Sequence, residues 1–286
     1  MTATLMRGTE LAARIRAEVA EEVKELGSIG LATVQVGDDE ASSIYLGRKH
    51  AAAAEAGIRS VDRKLAGEIA EDELLRVVGE LNDEDSIDGV LVQLPLPDHL
   101  DEARIISAVD PVKDVDGFHP FNAGLLYLGR PTHVPATPLG IMALLAENRI
   151  ELEGARAVVV GRSDIVGKPI AHLLLQSNAT VTICHSRTED LERHTLDADV
   201  LVVAAGVPGI VSPDMVKSGS AVVDVGINRT DAGIIGDVDP GAVDRAGHLT
   251  PVPGGVGPMT IAMLLRNTLR AARYRRGLLA FPQTRR

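Results

Sequence analysis

Residues Val158-Val159-Val160-Gly161-Arg162-Ser163-Asp164-Ile165-Val166-Gly167-Lys168-Pro169 run from an apolar β-branched stretch, through a glycine turn, into a segment with Pro near its start. The pattern predicts a buried strand ending before Gly161 and a helix opening near Lys168. A dinucleotide-binding fold places its pyrophosphate at such a turn. Glycine permits the tight bend and close backbone approach, and the helix N-terminus offers free N–H groups and positive potential. The match to G-x-G-x-x-G is imperfect: Ser163 stands where the second glycine belongs, and Gly167 comes one position late. An ordinary strand–helix turn has the same outline, so the flanking sequence has to decide.

Downstream, strands are expected at 156–160, 180–184, 200–204 and 221–225, with a helix at 168–176. The expected strand at 180–184 is followed by His185-Ser186-Arg187-Thr188, where NAD-binding folds usually carry a carboxylate for the ribose 2′-hydroxyl. An Arg and hydroxyls suit a 2′-phosphate instead, which favours NADP. Glu189 and Asp190 lie close by, and a solvated surface turn is the plain alternative.

Upstream, Leu11, Ile15, Val19, Val23 and Leu26 recur at helical spacing. A strand at 31–36, an alanine-rich helix at 42–56 stopped by Gly57, a strand at 58–65, a helix at 71–81 and a strand at 89–94 follow. Strands alternating with helices predict parallel pairing through crossovers. Residues 113–140, rich in Gly, Pro, Asn and Asp, are expected to carry the chain between domains, with a helix from 139 to about 148. The Pro-Gly run at 251–258 reads as the return crossing, and a last helix, 259–274, as packing back on the first domain. The expected fold is α/β with two αβ domains, the second a Rossmann-like doubly wound parallel sheet, and a cleft between them. The expected domains are 1–138 with 259–286, and 139–258.

Composition narrows the function classes. With 286 residues there is length for two cores. Aromatics are 2%, with no Trp, so the cores must be aliphatic and a planar ligand has few rings to stack on. The formal charge is −11 and no basic run suggests a nucleic-acid face. The Arg and Tyr residues within 274–286 read as a frayed terminus, with a phosphate or RNA contact as the alternative. Cys184 is the single cysteine, which excludes an intrachain disulfide and fits a reducing compartment. No secretion signal and no membrane-length apolar run is evident, so a cytoplasmic protein is expected. No cluster of His, Cys and carboxylates has metal-ligand spacing, so no metal is expected.

Three clues lie in the first half. Ser42, Tyr45 and Lys49 follow S-x-x-Y-x-x-x-K, which puts all three on one helical face. A buried amine beside a ring is a plausible acid/base unit; spacing alone leaves open a surface lysine beside a half-buried tyrosine. Short-chain dehydrogenases use Y-x-x-x-K after their cofactor loop, whereas here it precedes the loop. Gln93 interrupts an apolar strand at its C-terminal end, the edge where parallel sheets bind ligands; a backbone-satisfied turn residue is the alternative. Asp114 and Asp116 sit in Lys113-Asp114-Val115-Asp116-Gly117, where a carboxylate could accept a fork of N–H donors such as a pteridine presents, or stabilise its own loop.

Taken together with Val36-Gly37-Asp38-Asp39, Asp224-Val225-Gly226-Ile227-Asn228 and Pro251-Val252-Pro253-Gly254-Gly255-Val256-Gly257-Pro258-Met259-Thr260, these motifs resemble the methylenetetrahydrofolate dehydrogenase/cyclohydrolase family over nearly the whole chain. The resemblance implies NADP-dependent oxidation of 5,10-methylenetetrahydrofolate, then hydrolysis of the methenyl product to 10-formyltetrahydrofolate. It implies that Lys49 is the acid/base group, that Tyr45 stacks on the folate, that Gln93 tunes Lys49 and that Asp116 anchors the pterin. Pro253, Gly254 and Gly255 would border the folate. Gly161, Arg162, Ser163, Ile165, Gly167, Ser186, Arg187, Gly206 and Ile227 would line the NADP site. A homodimer formed through the cofactor domains is also implied. The chain departs from the family's P-C-T-P-x-G at Pro135-Ala136-Thr137-Pro138-Leu139-Gly140, which removes a thiol that none of these roles uses, and the loop at 27–30 is short. A two-domain dehydrogenase for a shikimate-type alcohol and a nucleotide sensor without turnover are the rival readings.

Overall fold

The computed structural model describes residues 2–38, 40–231 and 233–282, with backbone only at 40–44. Asp39 and the side chain of Ser42, both part of motifs quoted above, therefore lie outside the described residues. In chain order the strands are β1 (Thr4–Leu5), β2 (Ile29–Val36), β3 (Ile58–Leu65), β4 (Gly89–Val92), β5 (Arg156–Val160), β6 (Thr180–Cys184), β7 (Val200–Val203), β8 (Ala221–Asp224), β9 (Asn228–Thr230), β10 (Gly233–Ile235) and β11 (His248–Leu249). The α-helices are α1 (Gly8–Leu26), α2 (Glu40–Glu55), α3 (Glu71–Asp83), α4 (Glu102–Ala108), α5 (Pro120–Tyr127), α6 (Ala136–Glu147), α7 (Gly167–Gln176), α8 (Leu191–Thr195) and α9 (Val256–Arg275).

The chain divides into two compact units, Met1–Ala13 with Pro135–Thr260, and Arg14–Val134 with Ile261–Arg286. The first holds a six-stranded parallel sheet in the order β1-β11-β8-β7-β5-β6. Here β5 pairs with β6 on one side and β7 on the other, so the winding reverses at β5. Doubly wound sheets hold ligands beyond the carboxyl ends of the strands at such a reversal. β5, β7 and β8 are nearly all-apolar and buried, as strands covered on both faces must be.

The second unit holds a parallel sheet in the order β3-β2-β4. All eight residues of the central strand β2 are buried. Val90 bridges to Asp114, so the chain at 113–114 runs alongside β4. Leu74, Val77, Val78 and Leu81 form the buried face of α3 at the spacing a helix requires. Its C-terminal end is closed by Lys113, whose Nζ donates to the carbonyls of Leu81 (3.0 Å), Asn82 (2.6 Å) and Glu84 (2.9 Å). These acceptors belong to the helix end that lacks intrahelical donors. Lys113→Met leaves them unpaired, and a loss of roughly 2–4 kcal/mol in urea unfolding is expected. An unchanged midpoint would show that water replaces the ammonium without cost.

Several sequence expectations need correction. The segment at 113–140 is not a plain crossing. It contains α5, opened by Pro120 with the His119 ring accepting from the Phe121 N–H at 3.0 Å, and α6 begins at Ala136. Asp101 caps the unanticipated α4 by accepting from the Arg104 N–H. Residues 274–282 are not a frayed terminus, and the rest of that expectation, 283–286, lies outside the described residues. Tyr274 is buried and meets His133 and Phe281 edge-on, at 5.4 and 5.0 Å between ring centroids. Arg275 donates to Asp88 (2.9 Å) and to the Ile87 carbonyl (2.8 Å). Among the described residues, no helix is long and apolar enough to cross a membrane.

Candidate active site

In the six-stranded unit the turn after β5 is built by two glycines with no room for side chains. Gly161 has φ +130°, and a Cβ there would stand 2.2 Å from the Ala204 carbonyl oxygen. A Cβ on Gly167 would stand 2.4 Å from the Gly161 carbonyl oxygen. The late glycine therefore has a reason: it lets the first turn of α7 close onto the end of β5. Ser163 also gains one. Its Oγ accepts from the N–H groups of Val166 (3.2 Å) and Gly167 (3.3 Å), tying the loop to the helix entrance. Arg162 and Ile165 are exposed beside this turn.

At the end of β6, the His185 N–H donates to Thr188 Oγ1 (2.8 Å), and the Arg187 N–H to His185 Nδ1 (3.1 Å). This ordered turn carries Ser186 and Arg187 exposed. Asp190 is occupied elsewhere, accepting from the Arg193 N–H at the start of α8. Gly206 follows β7 at φ +67°. Ile227 follows β8, is 60% exposed, and its Cδ1 stands 4.0 Å from where a Gly257 Cβ would be. Pro253, Gly254 and Gly255 also lie in this unit, where the Gly254 carbonyl accepts from the Gly8 N–H at 2.9 Å.

Tyr45, Lys49, Gln93 and Asp116 all belong to the three-stranded unit. The alanine run keeps α2 helical, and Gly57, at φ +75°, follows its end. Leu46, Ala53 and Ala56 are buried along one face of this segment, and Lys49 occupies the same stripe with only 6% exposure. A lysine in an apolar stripe is the signal that separates it from a surface residue. Its Nζ sits 4.8 Å from the Tyr45 ring centroid and donates to Gln93 Oε1 at 3.2 Å. Gln93 Nε2 donates to the Leu94 carbonyl at 2.8 Å, which turns the amide oxygen toward the lysine. Burial lowers the Lys49 pKa, and the Asp116 charge opposes that shift. Asp116 itself is pushed up to about 6 by burial, against the pull of Lys49 and with a smaller push from Asp114. Asp114 has the local role: it accepts from the N–H groups of Phe118 (3.2 Å) and His119 (2.9 Å) and from Asn122 Nδ2 (2.8 Å).

Because its folded pKa lies above the ordinary carboxylate value, Asp116 binds its proton more tightly in the folded protein than in the unfolded chain. Its ionisation costs stability as pH rises from about 4 through about 6, and the cost is constant above that. Asp116→Asn is therefore expected to melt with wild type near pH 4 and roughly 2–4 °C higher at pH 8. A difference independent of pH would contradict the assignment.

Two family models match the chain. The catalytic-domain model of tetrahydrofolate dehydrogenase/cyclohydrolase covers residues 6–116, and its NAD(P)-binding-domain model covers 135–276. Bifunctional protein FolD of Halothermothrix orenii is 54% identical over 277 residues, spanning 94% of this chain and 98% of that one. The crystal structure of the bifunctional FolD methylenetetrahydrofolate dehydrogenase/cyclohydrolase from Campylobacter jejuni superposes with a TM-score of 0.94 at 48% identity, covering 96% of this chain and 99% of that one. The Trypanosoma brucei enzyme, complexed with NADP cofactor and inhibitor, gives 0.92 at 38% identity, covering 98% of this chain and all of that one (100%).

Proposed function

The chain belongs to the tetrahydrofolate dehydrogenase/cyclohydrolase family, and from that premise we propose that it oxidises 5,10-methylenetetrahydrofolate with NADP and hydrolyses the methenyl product to 10-formyltetrahydrofolate. We assign folate binding and hydrolysis to the unit of 14–134 with 261–286, and cofactor binding to the unit of 1–13 with 135–260. NADP, when bound, supplies the hydride acceptor for the methylene carbon. The residues present fit such a dinucleotide. Gly161 and Gly167 keep the turn free of side chains, and Ser186 and Arg187 offer a hydroxyl and a positive charge for a 2′-phosphate. Arg162, Ser163, Ile165, Gly206 and Ile227 complete the proposed cofactor surface.

Hydrolysis adds water to the methenyl carbon, and a ring C–N bond then breaks to leave the formyl group on one nitrogen and a proton to be moved. Lys49 takes that proton in its neutral form, which burial makes accessible nearer neutral pH than for a free lysine. Gln93 holds the amine in place, Tyr45 provides a stacking face, and Asp116 accepts from pterin N–H donors. The observation that carries the reading is the desolvated Lys49 amine held between a ring and an amide oxygen. We also propose a cytoplasmic protein and a homodimer; the dimer is supported by the outer edge of β6, which pairs with no further strand among the described residues, and by Ile183, 41% exposed, and light scattering checks its mass. The function is tested by two assays on the purified protein: NADP reduction with methylenetetrahydrofolate, and decay of methenyltetrahydrofolate without nucleotide. Both rates must exceed those in buffer; absence of either removes that half of the proposal.

A further inference from the structure

Two carboxylates of the six-stranded unit lie outside every role given so far, and both are sealed from water. Asp237 is fully buried and Asp224 is 4% exposed. Buried carboxylates are costly unless satisfied, and these are satisfied by backbone N–H groups of neighbouring loops. Asp237 Oδ2 accepts from Ala205 N–H (2.7 Å) and Gly206 N–H (2.8 Å), in the turn after β7. Its Oδ1 accepts from Asn228 Nδ2 (2.8 Å), beyond β8. Asp224 Oδ1 accepts from the Gly226 and Asp237 N–H groups, both at 2.9 Å, and its Oδ2 from the Val238 N–H at 3.0 Å. The packing leaves no slack: a Cβ on Gly226 would stand 2.3 Å from Asp237 Oδ1, and one on Gly236 would stand 1.7 Å from Asp224 Oδ2.

We propose that Asp237, seated on Asp224, is a positioning residue for the dinucleotide: it locks the turn after β7 to the turn after β8 and so fixes the crevice at the carboxyl edge of the sheet. This rests on the cofactor assignment above. The two turns it joins carry Gly206 and Ile227. The residue before the first of them, Ala204, presents the carbonyl against which Gly161 packs. A shift of 204–206 therefore reaches the pyrophosphate turn through one contact. A carboxylate suits the task because three N–H donors converge on its two oxygens. An amide at 237 must turn its N–H2 either toward the fixed Ala205 and Gly206 N–H groups, where donor meets donor, or toward Asn228, which then has to flip its own amide to accept; either way the charge-assisted bonds of the carboxylate are lost.

The test is Asp237→Asn in the full-length enzyme. NADP affinity is read by calorimetry and KM, and hydrolysis of methenyltetrahydrofolate is read without nucleotide. The expected result is NADP binding weakened by about ten- to a hundredfold with unchanged kcat for hydrolysis. A merely structural role would lower both together or neither. Asn228→Ala, which removes a single donor, should weaken NADP binding by about three- to tenfold, and it decides the matter if the first variant does not fold. Wild-type NADP affinity in a folded Asp237→Asn, or equal losses in binding and hydrolysis, overturns the proposal. A wild-type protein that binds no NADP overturns the cofactor assignment itself, and this proposal with it.

Discussion

Lys49→Gln is expected to lower the rate of methenyltetrahydrofolate hydrolysis by about two to four orders of magnitude, with NADP affinity unchanged. Glutamine retains an N–H2 that can donate to Gln93 Oε1, so the buried amide keeps a partner. What it lacks is a titratable proton. The loss then reports proton transfer and not packing. Lys49→Met is the harsher change, since it leaves Gln93 Oε1 without its lysine donor at a cost of about 1–3 kcal/mol. The wild-type pH profile should rise through the lowered Lys49 pKa, because the neutral amine is the active form and its fraction grows with pH. The variant's residual rate should lack that limb. Hydrolysis at the wild-type rate in a folded Lys49→Gln would remove the amine from the mechanism.

Gly161→Ala should cost at least two orders of magnitude in NADP affinity, about 3 kcal/mol or more, and abolish NADP reduction while hydrolysis continues. Two penalties combine. The backbone at φ +130° is open only to glycine, and the new methyl would lie 2.2 Å from the Ala204 carbonyl oxygen, which belongs to backbone and cannot swing away. Gly154→Ala is the natural control. Its φ of +75° is the left-handed conformation, and nothing lies within 4 Å of the added carbon. There the expected cost is about 1–2 kcal/mol of conformational energy. Equal effects at the two positions would mean that the close contact at Gly161 is not what shapes the turn.

The alternation of apolar runs with helical periodicity made the parallel αβ architecture legible, and the family motifs named its chemistry. The Gly161 turn marked where β5 ends, but that the winding reverses there is visible only in the pairing of β5 with β6 and β7. Lys49 was harder. Its spacing from Tyr45 allowed a surface lysine as readily as a buried one, and only the stripe of Leu46, Ala53 and Ala56 around it distinguishes the two. The short strands β1 and β11 were not legible, because two-residue segments carry no periodicity. Their pairing comes from the sheet they extend. The terminus was misread for a related reason: arginines near a chain end suggest solvent, but Arg275 and Tyr274 find partners far away in sequence. Asp237 gave no signal of its own: it stands between Gly236 and Val238 after a short hairpin of mixed polarity, and its donors come from two loops that only folding brings together.

The most direct measurement follows NADPH and the methenyl group simultaneously when Lys49→Gln is given methylenetetrahydrofolate and NADP. The account predicts that NADPH appears, that methenyltetrahydrofolate accumulates one for one with it, and that the methenyl group decays about two to four orders of magnitude more slowly than with the wild-type enzyme. Decay at the wild-type enzymatic rate would contradict it.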